Sequence, residues 1–207
     1  MKKYFTLTFI MVLAVCVSQV VGAQANKEAN KLALEGAEAS KNQDYDKAVE
    51  LLRKATALDH KYESSLAVAY QQRGVASVRD QKLQEAISDF SEALKINSRD
   101  PLIYEQRAAV EVKLQDYDKA LADYSEAIKL KPNEIRYYLY SGYIYEVKRD
   151  FKNSMAETEK ALKLDPNNDD AKARKTRLEQ QEALNPSLTP PPAAASPKKS
   201  PAAKHKP

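Results

Sequence analysis

The sequence predicts an all-α protein built from repeated pairs of amphipathic helices, and three observations carry that prediction. Four segments align without gaps in their small-residue columns, at spacings of 38, 34 and 34 residues. Three of the four glycines in the chain fall at a single register of that repeat. Within each segment apolar residues recur at three- and four-residue steps, the spacing of one helical face.

The aligned segments are 44–58, 81–96, 116–130 and 150–164. They bring Ala55, Ala93, Ala127 and Ala161 into one column, and Ala48, Ala86, Ala120 and Ser154 into another seven residues earlier. Gly36, Gly74 and Gly142 each stand twelve residues before the earlier column, with Ala108 in the third unit. A glycine inside a helix costs on the order of 1 kcal/mol relative to alanine, so its use at this register predicts a close helix contact. Larger apolar residues fill two more columns: Tyr45, Leu83, Tyr117 and Phe151, then Leu58, Ile96, Leu130 and Leu164.

Boundary signals agree. Asp44, Asp80, Asp116 and Asp150 precede the second helices, where a carboxylate can accept free amide hydrogens and favour the positive end of the helix dipole. Pro101 follows Asp100 at a helix start, where its missing N–H does no harm. Lys131-Pro132-Asn133 and Asp165-Pro166-Asn167-Asn168 read as turns.

The two ends differ from the body. Residues 1–23 have the build of a secretory signal, with Lys2 and Lys3, an apolar stretch from Phe5 to Val17, then small residues. That stretch is shorter than the roughly 20 residues a membrane-spanning helix needs. Cleavage is expected after Ala23, alternatively after Ala25, giving a bacterial-type exported protein, periplasmic or secreted. Cys16, the single cysteine, lies inside this segment, so the processed chain has neither thiol nor disulfide. Residues 185–207 are rich in Pro, Ala and Lys and carry no acid, a composition that cannot bury enough apolar surface to offset its chain entropy. They are expected to form a disordered tail whose lysines, Lys198, Lys199, Lys204 and Lys206, supply electrostatic attraction.

Lys+Arg number 33 against 29 Asp+Glu, a formal +4 that sits at the ends and is too small to make nucleic acid the expected partner. His60 and His205 are the only histidines, and no phosphate loop or nucleophile motif stands in the chain. The run from Asp165 to Asp170 lacks the glycine and terminal glutamate of a calcium loop. No catalysis, cofactor or metal is expected. The recurring acidic pairs Asp44/Asp46 and Asp116/Asp118 read as capping.

Twelve tyrosines are present, five of them between 137 and 145. Helical geometry puts Tyr138 and Tyr145 on the face of Gly142, as core. Arg136, Tyr140, Tyr143 and Val147, at steps of four, three and four, form a different stripe.

Taken together, the glycine, alanine, aromatic and proline columns resemble the tetratricopeptide repeat, a 34-residue helix–turn–helix. The resemblance covers units at about 29–62, 67–100, 101–134 and 135–168, with 169–184 as a capping helix within a repeat domain spanning 29–184. It implies a right-handed solenoid whose first helices line a concave groove for a segment of a partner protein. The Arg136 stripe falls at the groove positions, with Leu102, Gln106, Ala109 and Lys113 as counterparts in the third unit. Val68, Gln72, Val75 and Arg79 are those of the second. The alternative for Tyr140 and Tyr143 is packing against the capping helix. The residues with which some family members grip a C-terminal carboxylate are absent, since Ala33, Ala37, Gln72, Leu102 and Gln106 stand there.

Three departures bear on the structure. Four extra residues around 62–65 should lengthen the first helix of the second unit. His60 and Ser98 replace the turn proline. Ser154 and Thr158 put hydroxyls at positions that are apolar in the other units. The expected function is a non-catalytic protein-binding scaffold in the cell envelope. The rival expectation is a spacer held by its basic tail to an anionic envelope polymer or membrane surface.

Overall fold

The computed structural model describes the backbone of residues 2–184 and the side chains of 22–184. All of its regular structure is helical: α1 (Lys2–Lys41), α2 (Tyr45–Leu58), a 3-10 turn at His60–Tyr62, α3 (Glu63–Arg79), α4 (Leu83–Ile96), α5 (Pro101–Lys113), α6 (Tyr117–Leu130), α7 (Ile135–Val147), α8 (Phe151–Leu164) and α9 (Asp169–Leu184). The even-numbered helices α2 to α8 are all 14 residues long, and each follows its partner after a three-residue turn. Helix α3 has 17 residues where α5 and α7 have 13, so the four-residue insertion is absorbed as one extra turn that starts at Glu63 rather than at 67.

Small columns make the hairpins tight. Ala48, Ala86, Ala120 and Ser154 are fully buried, as are Ala55, Ala93, Ala127 and Ala161. A Cβ on Gly36 would lie 2.8 Å from Leu52 Cγ, and one on Gly74 would lie 2.9 Å from the Phe90 ring. The glycine register is therefore where the first helix of a unit meets the second. Opposite it, sixteen residues on, stand Leu52, Phe90, Tyr124 and Thr158 in turn.

Every hairpin turn has the same conformation. Gln43, Gln81, Gln115 and Arg149 take left-handed φ values of 61 to 63°, and the following residue donates its amide to a carbonyl five residues back, as in Lys82 N to Ser77 O at 2.8 Å. Asp44 and Asp150 cap the next helices by accepting from Lys47 N and Asn153 N, and Asp100 accepts from Leu102 N ahead of Pro101. Asp116 is also an N-cap, though its side chain accepts from Lys119 Nζ instead of a backbone amide. Asp80 is a correction to the sequence reading. It closes α3, and Lys82 occupies the N-cap of α4, because the acid stands two residues earlier in this turn than in the others.

The serine and threonine of the last unit are accommodated by hydrogen bonds. Ser154 Oγ donates to Gly142 O at 2.8 Å and Thr158 Oγ1 to Ser154 O at 2.7 Å, so neither buried hydroxyl is left unpaired. Two further ties repeat at 34 residues and escaped the sequence reading. Arg73 binds Asp89, and Arg107 binds Asp123, each through two bonds of 2.7 to 2.9 Å, with both carboxylates buried. Each pair joins the first helix of a unit to the second; Ser141 and Glu157 hold these registers in the fourth unit.

Helix α1 runs through both expected cleavage sites. Among its described side chains burial begins at Ala29, and Gly22 to Glu28 are exposed apart from the half-buried Ala25. Among the described residues no helix is long and apolar enough to cross a membrane. The expected tail, with its lysines, lies outside the described residues.

Candidate binding groove

Side-chain bonds link the first helices to one another along one face of the molecule. Gln71 on α3 donates to Gln106 on α5, Arg136 on α7 to Glu105 on α5, and Arg174 and Arg177 on α9 to Glu146 on α7. Between these links an apolar row stays open to solvent: Val68, Val75, Leu102, Tyr140, Tyr143 and Val147 are each about half exposed. Core residues of these helices are on the other side, among them Tyr70, Ile103 and Val110.

The row deepens into a cleft of about 720 Å³ toward the C-terminal end, between α5, α7 and α9. Its floor is Tyr124, Tyr140, Leu139 and Ile144, with Ala109 and Val112 from α5 and Ala173 from α9. Tyr124 and Tyr140 stack with ring centroids 5.5 Å apart and planes 19° off parallel. That stacking holds one ring of the exposed pair rigid, which lowers the ordering cost of binding. Burial pushes the Tyr124 phenol well above the usual tyrosine range, so it stays a neutral donor.

Charged groups rim the apolar floor. Arg136 bridges Glu105 and Glu134, each at 3.0 Å, and its hydrogen bond to Glu134 is the main cause of its raised pKa. At the opposite wall one carboxylate serves two arginines: Glu146 accepts from Arg174 Nε at 3.2 Å and from Arg177 Nε and Nη2 at 3.2 and 3.1 Å. Arg174 is 8 % exposed, and burial lowers its pKa while Glu146 opposes the shift. Its Nη1 has no hydrogen-bond partner and packs beside Gly142, 3.2 Å from where a Cβ would stand. Lys113 and Asp170 complete the rim.

The sequence-predicted residues divide between this cleft and its surroundings. Arg136, Tyr140, Tyr143, Ala109 and Lys113 line it together. Gln106 is half-buried in its bond to Gln71, and Val147 lies exposed one turn beyond Tyr143. Gln72 lies with Val68 in a shallower cleft of about 360 Å³ against α1, lined by Ala33, Ala37 and three serines. Arg79 belongs to a polar cleft of about 440 Å³ at the turns of the first two units, and Val75 is exposed without lining any of the three clefts. Tyr140 and Tyr143 stay half exposed beside α9 rather than being buried by it. The core tyrosines of α7 are Tyr137 and Tyr138, with Tyr145 only partly covered. Tyr137 turns inward because it packs on Tyr124, 6.4 Å away between centroids, and Tyr145 falls at the edge of the same face.

Nine of the lining residues were missed, among them Glu105 and the four that α9 supplies, Asp170, Ala173, Arg174 and Arg177. The repeat itself carried the signal, since Asp170, Arg174 and Arg177 stand 34 residues after Arg136, Tyr140 and Tyr143. The capping helix thus acts as a fifth first helix. Among the described residues no group of three or more His, Cys, Asp or Glu is placed to hold a metal ion.

Solved structures with the same arrangement include the tetratricopeptide domain of Arabidopsis OM64, 25% identical, which covers 57% of this chain and 98% of that one with a TM-score of 0.53. YrrB, a tetratricopeptide protein described as having an unusual peptide-binding site, is 22% identical over 80% of this chain and 84% of its own, with a TM-score of 0.59. The first such domain of Spaghetti (RPAP3), solved with an HSP90 peptide, is 22% identical over 58% of this chain and 95% of its own, with a TM-score of 0.53. No curated protein matches the chain. Family models described as tetratricopeptide repeat match residues 34–101, 101–134 and 135–168, a continuous span that takes in all four hairpins. The chain belongs to the tetratricopeptide-repeat family.

Proposed function

We propose that this protein is a non-catalytic scaffold that holds an extended or helical segment of another protein against the groove face of its first helices. The observation that carries this reading is the open apolar row from Val68 to Val147, which deepens into a rimmed cleft beside stacked tyrosines. A preformed helical surface leaves most of the ordering cost to the partner, and rigid aromatics next to arginine are the residue types that most often dominate binding energy. Two of the similar solved structures are described by the peptides or peptide site they hold, which supports the same use here. The N-terminal pattern of lysines, apolar stretch and small residues supports export to the envelope, with the repeat domain beginning near Ala29 after processing.

The test is photo-crosslinking from position 102 in the native cell, followed by titration of the identified partner with purified protein. Tyr143→Ala should weaken that partner by about 1–2 kcal/mol, close to ten-fold, with the helical circular-dichroism signal unchanged. Removing 186–207 should cost much less at physiological salt, because lysine attraction is screened over about 8 Å. A partner that survives Tyr143→Ala but is lost with the tail would replace the groove reading with attachment through the tail.

A further inference from the structure

We propose that the cleft between α5, α7 and α9 is covered, while no partner is bound, by this chain's own Pro190–Pro192, so that a partner segment must displace the tail to enter. This rests on the groove reading above and adds to it a competitor carried by the chain itself.

The cleft suits an uncharged occupant. Arg136 is held between Glu105 and Glu134, and Arg174 and Arg177 share Glu146, so these ions are paired with one another. What stays open is apolar: Tyr140 is 46 % exposed and Tyr143 47 %. Tyr140 is also stacked on Tyr124, so a ring already fixed in place is presented to the occupant. Proline segments dock on aromatic surfaces of this kind at a low ordering cost, because each ring holds φ at about −65° before binding. Their carbonyls, unused within the segment, can accept from tyrosine hydroxyls.

The chain supplies such a segment within reach. Residues 185–197 read NPSLTPPPAAASP, and the first charged residue beyond α9 is Lys198. Leu184, the last residue of α9, stands seven residues beyond Arg177, which is about 10 Å along the helix axis. Arg177 and Tyr143 share a register on neighbouring helices, whose axes pack about 10 Å apart. The gap from Leu184 to Tyr143 is then roughly 15 Å, and residues 185–190 span up to about 20 Å when extended. Asn185-Pro186 stops the helix and favours the reversal that this path requires. A short tether keeps its ligand at an effective concentration on the order of 1 mM, so even a contact of millimolar affinity is half occupied. The affinity of a partner falls by the fraction of clefts left open.

The test places a photo-crosslinker at position 193 of the full chain, without a partner, and maps its products by mass spectrometry. Products should join position 193 to Tyr137–Val147 of the same chain, at a yield that holds on about a hundred-fold dilution. The yield should fall about ten-fold in Tyr143→Ala and in the triple variant Pro190→Gly, Pro191→Gly, Pro192→Gly, and stay unchanged in Arg79→Gln, outside the cleft. With the partner captured from position 102, removing 186–207 should tighten binding by about two- to ten-fold, where the groove reading alone expects little change. Products between chains that fade on dilution would give the cleft to a second copy and overturn the proposal, as would products confined to α9 or a yield indifferent to Tyr143→Ala. If position 193 does not reach α7 while Tyr143→Ala still weakens the partner, the groove reading stands without its competitor. If it reaches α7 and the partner ignores Tyr143→Ala, the docked tail stands and the groove reading falls.

Discussion

The second and fourth hairpins place glycine at the same register and use the space it leaves in opposite ways. In the second, Gly74 admits the ring of Phe90, and Arg73 and Asp89 pair beside it. In the fourth, Thr158 stands where that ring would be, Ser141 where the arginine would be, and the guanidinium of Arg174 reaches in from α9 to within 3.2 Å of the Gly142 Cβ position. One backbone geometry thus carries two interiors, one apolar with its ion pair inside the unit and one polar with its ion pair handed to the next helix. A unit closed by its own Arg–Asp pair is tied within the hairpin, whereas the fourth unit is tied to the next helix through Glu146 and the arginines of α9.

The largest expected effect breaks the self-contained kind of unit. Arg107→Ala leaves Asp123 buried and unpaired and should destabilise by about 3 kcal/mol, read as a fall in the urea midpoint. Gly74→Leu comes next, at about 1–3 kcal/mol, because Phe90 cannot move away from a larger side chain without disturbing Ala86 and Ala93. Alanine at the two glycines sharpens the contrast. Gly74→Ala should lose stability against the ring 2.9 Å away, whereas Gly142→Ala meets only a flexible guanidinium terminus at 3.2 Å and should be neutral or gain a few tenths of a kcal/mol in helix propensity. Equal losses at both would mean that the fourth interior is as rigid as the second.

The third unit adds a pH test. Glu111 is buried at the register that holds Ser77 in the second unit and Tyr145 in the fourth, and one of its carboxylate oxygens has no partner. Burial, and then the charge of Asp123, push its pKa up from 4.5 to about 7. The folded chain therefore keeps a proton that the unfolded chain releases, so this residue lowers stability as pH rises from about 4.5 to about 7 and no further above it. Glu111→Gln should abolish that slope and raise the melting temperature most at pH 8. A slope that persists in the variant would place its origin elsewhere.

How much of this could be read from residues alone depended on which columns carry apolar or small side chains. The four hairpins, the glycine contacts and the extra turn of α3 were legible because burial imposes size and hydropathy at fixed spacings. Ion pairs were not, although Arg73 and Arg107 recur at 34 residues as do Asp89 and Asp123. Charged columns read as solvated faces until a structure shows their carboxylates buried. Asp80 is close to a helix start without being its cap, because the acid stands two residues before the cap register that Lys82 occupies. The groove was half legible. Its tyrosines stand out by composition, while Arg174 and Arg177 fall within the capping helix, where nothing but the repeat register points to the groove.

The smallest effect separates interior from turn. Gln81 and Arg149 hold left-handed φ values of 62 and 61°, in turns that close with the same pair of backbone hydrogen bonds. A side chain in that conformation costs roughly 1–2 kcal/mol through contact of its Cβ with the backbone, and glycine escapes it while losing about 0.5–1 kcal/mol more chain entropy on folding. Gln81→Gly should therefore stabilise by a few tenths to about 1 kcal/mol, and Gln81→Val should destabilise, since a branched Cβ tolerates the left-handed region least. The second and fourth units differ in what they bury but not in how they turn. Arg149→Gly should then match Gln81→Gly within about 0.3–0.5 kcal/mol, and the double variant should gain their sum, the sites sharing no partner. A gain at Gln81 without one at Arg149 would show that the polar interior of the fourth unit strains its turn as well, and that the two hairpins differ in backbone energetics and not only in the side chains that fill them.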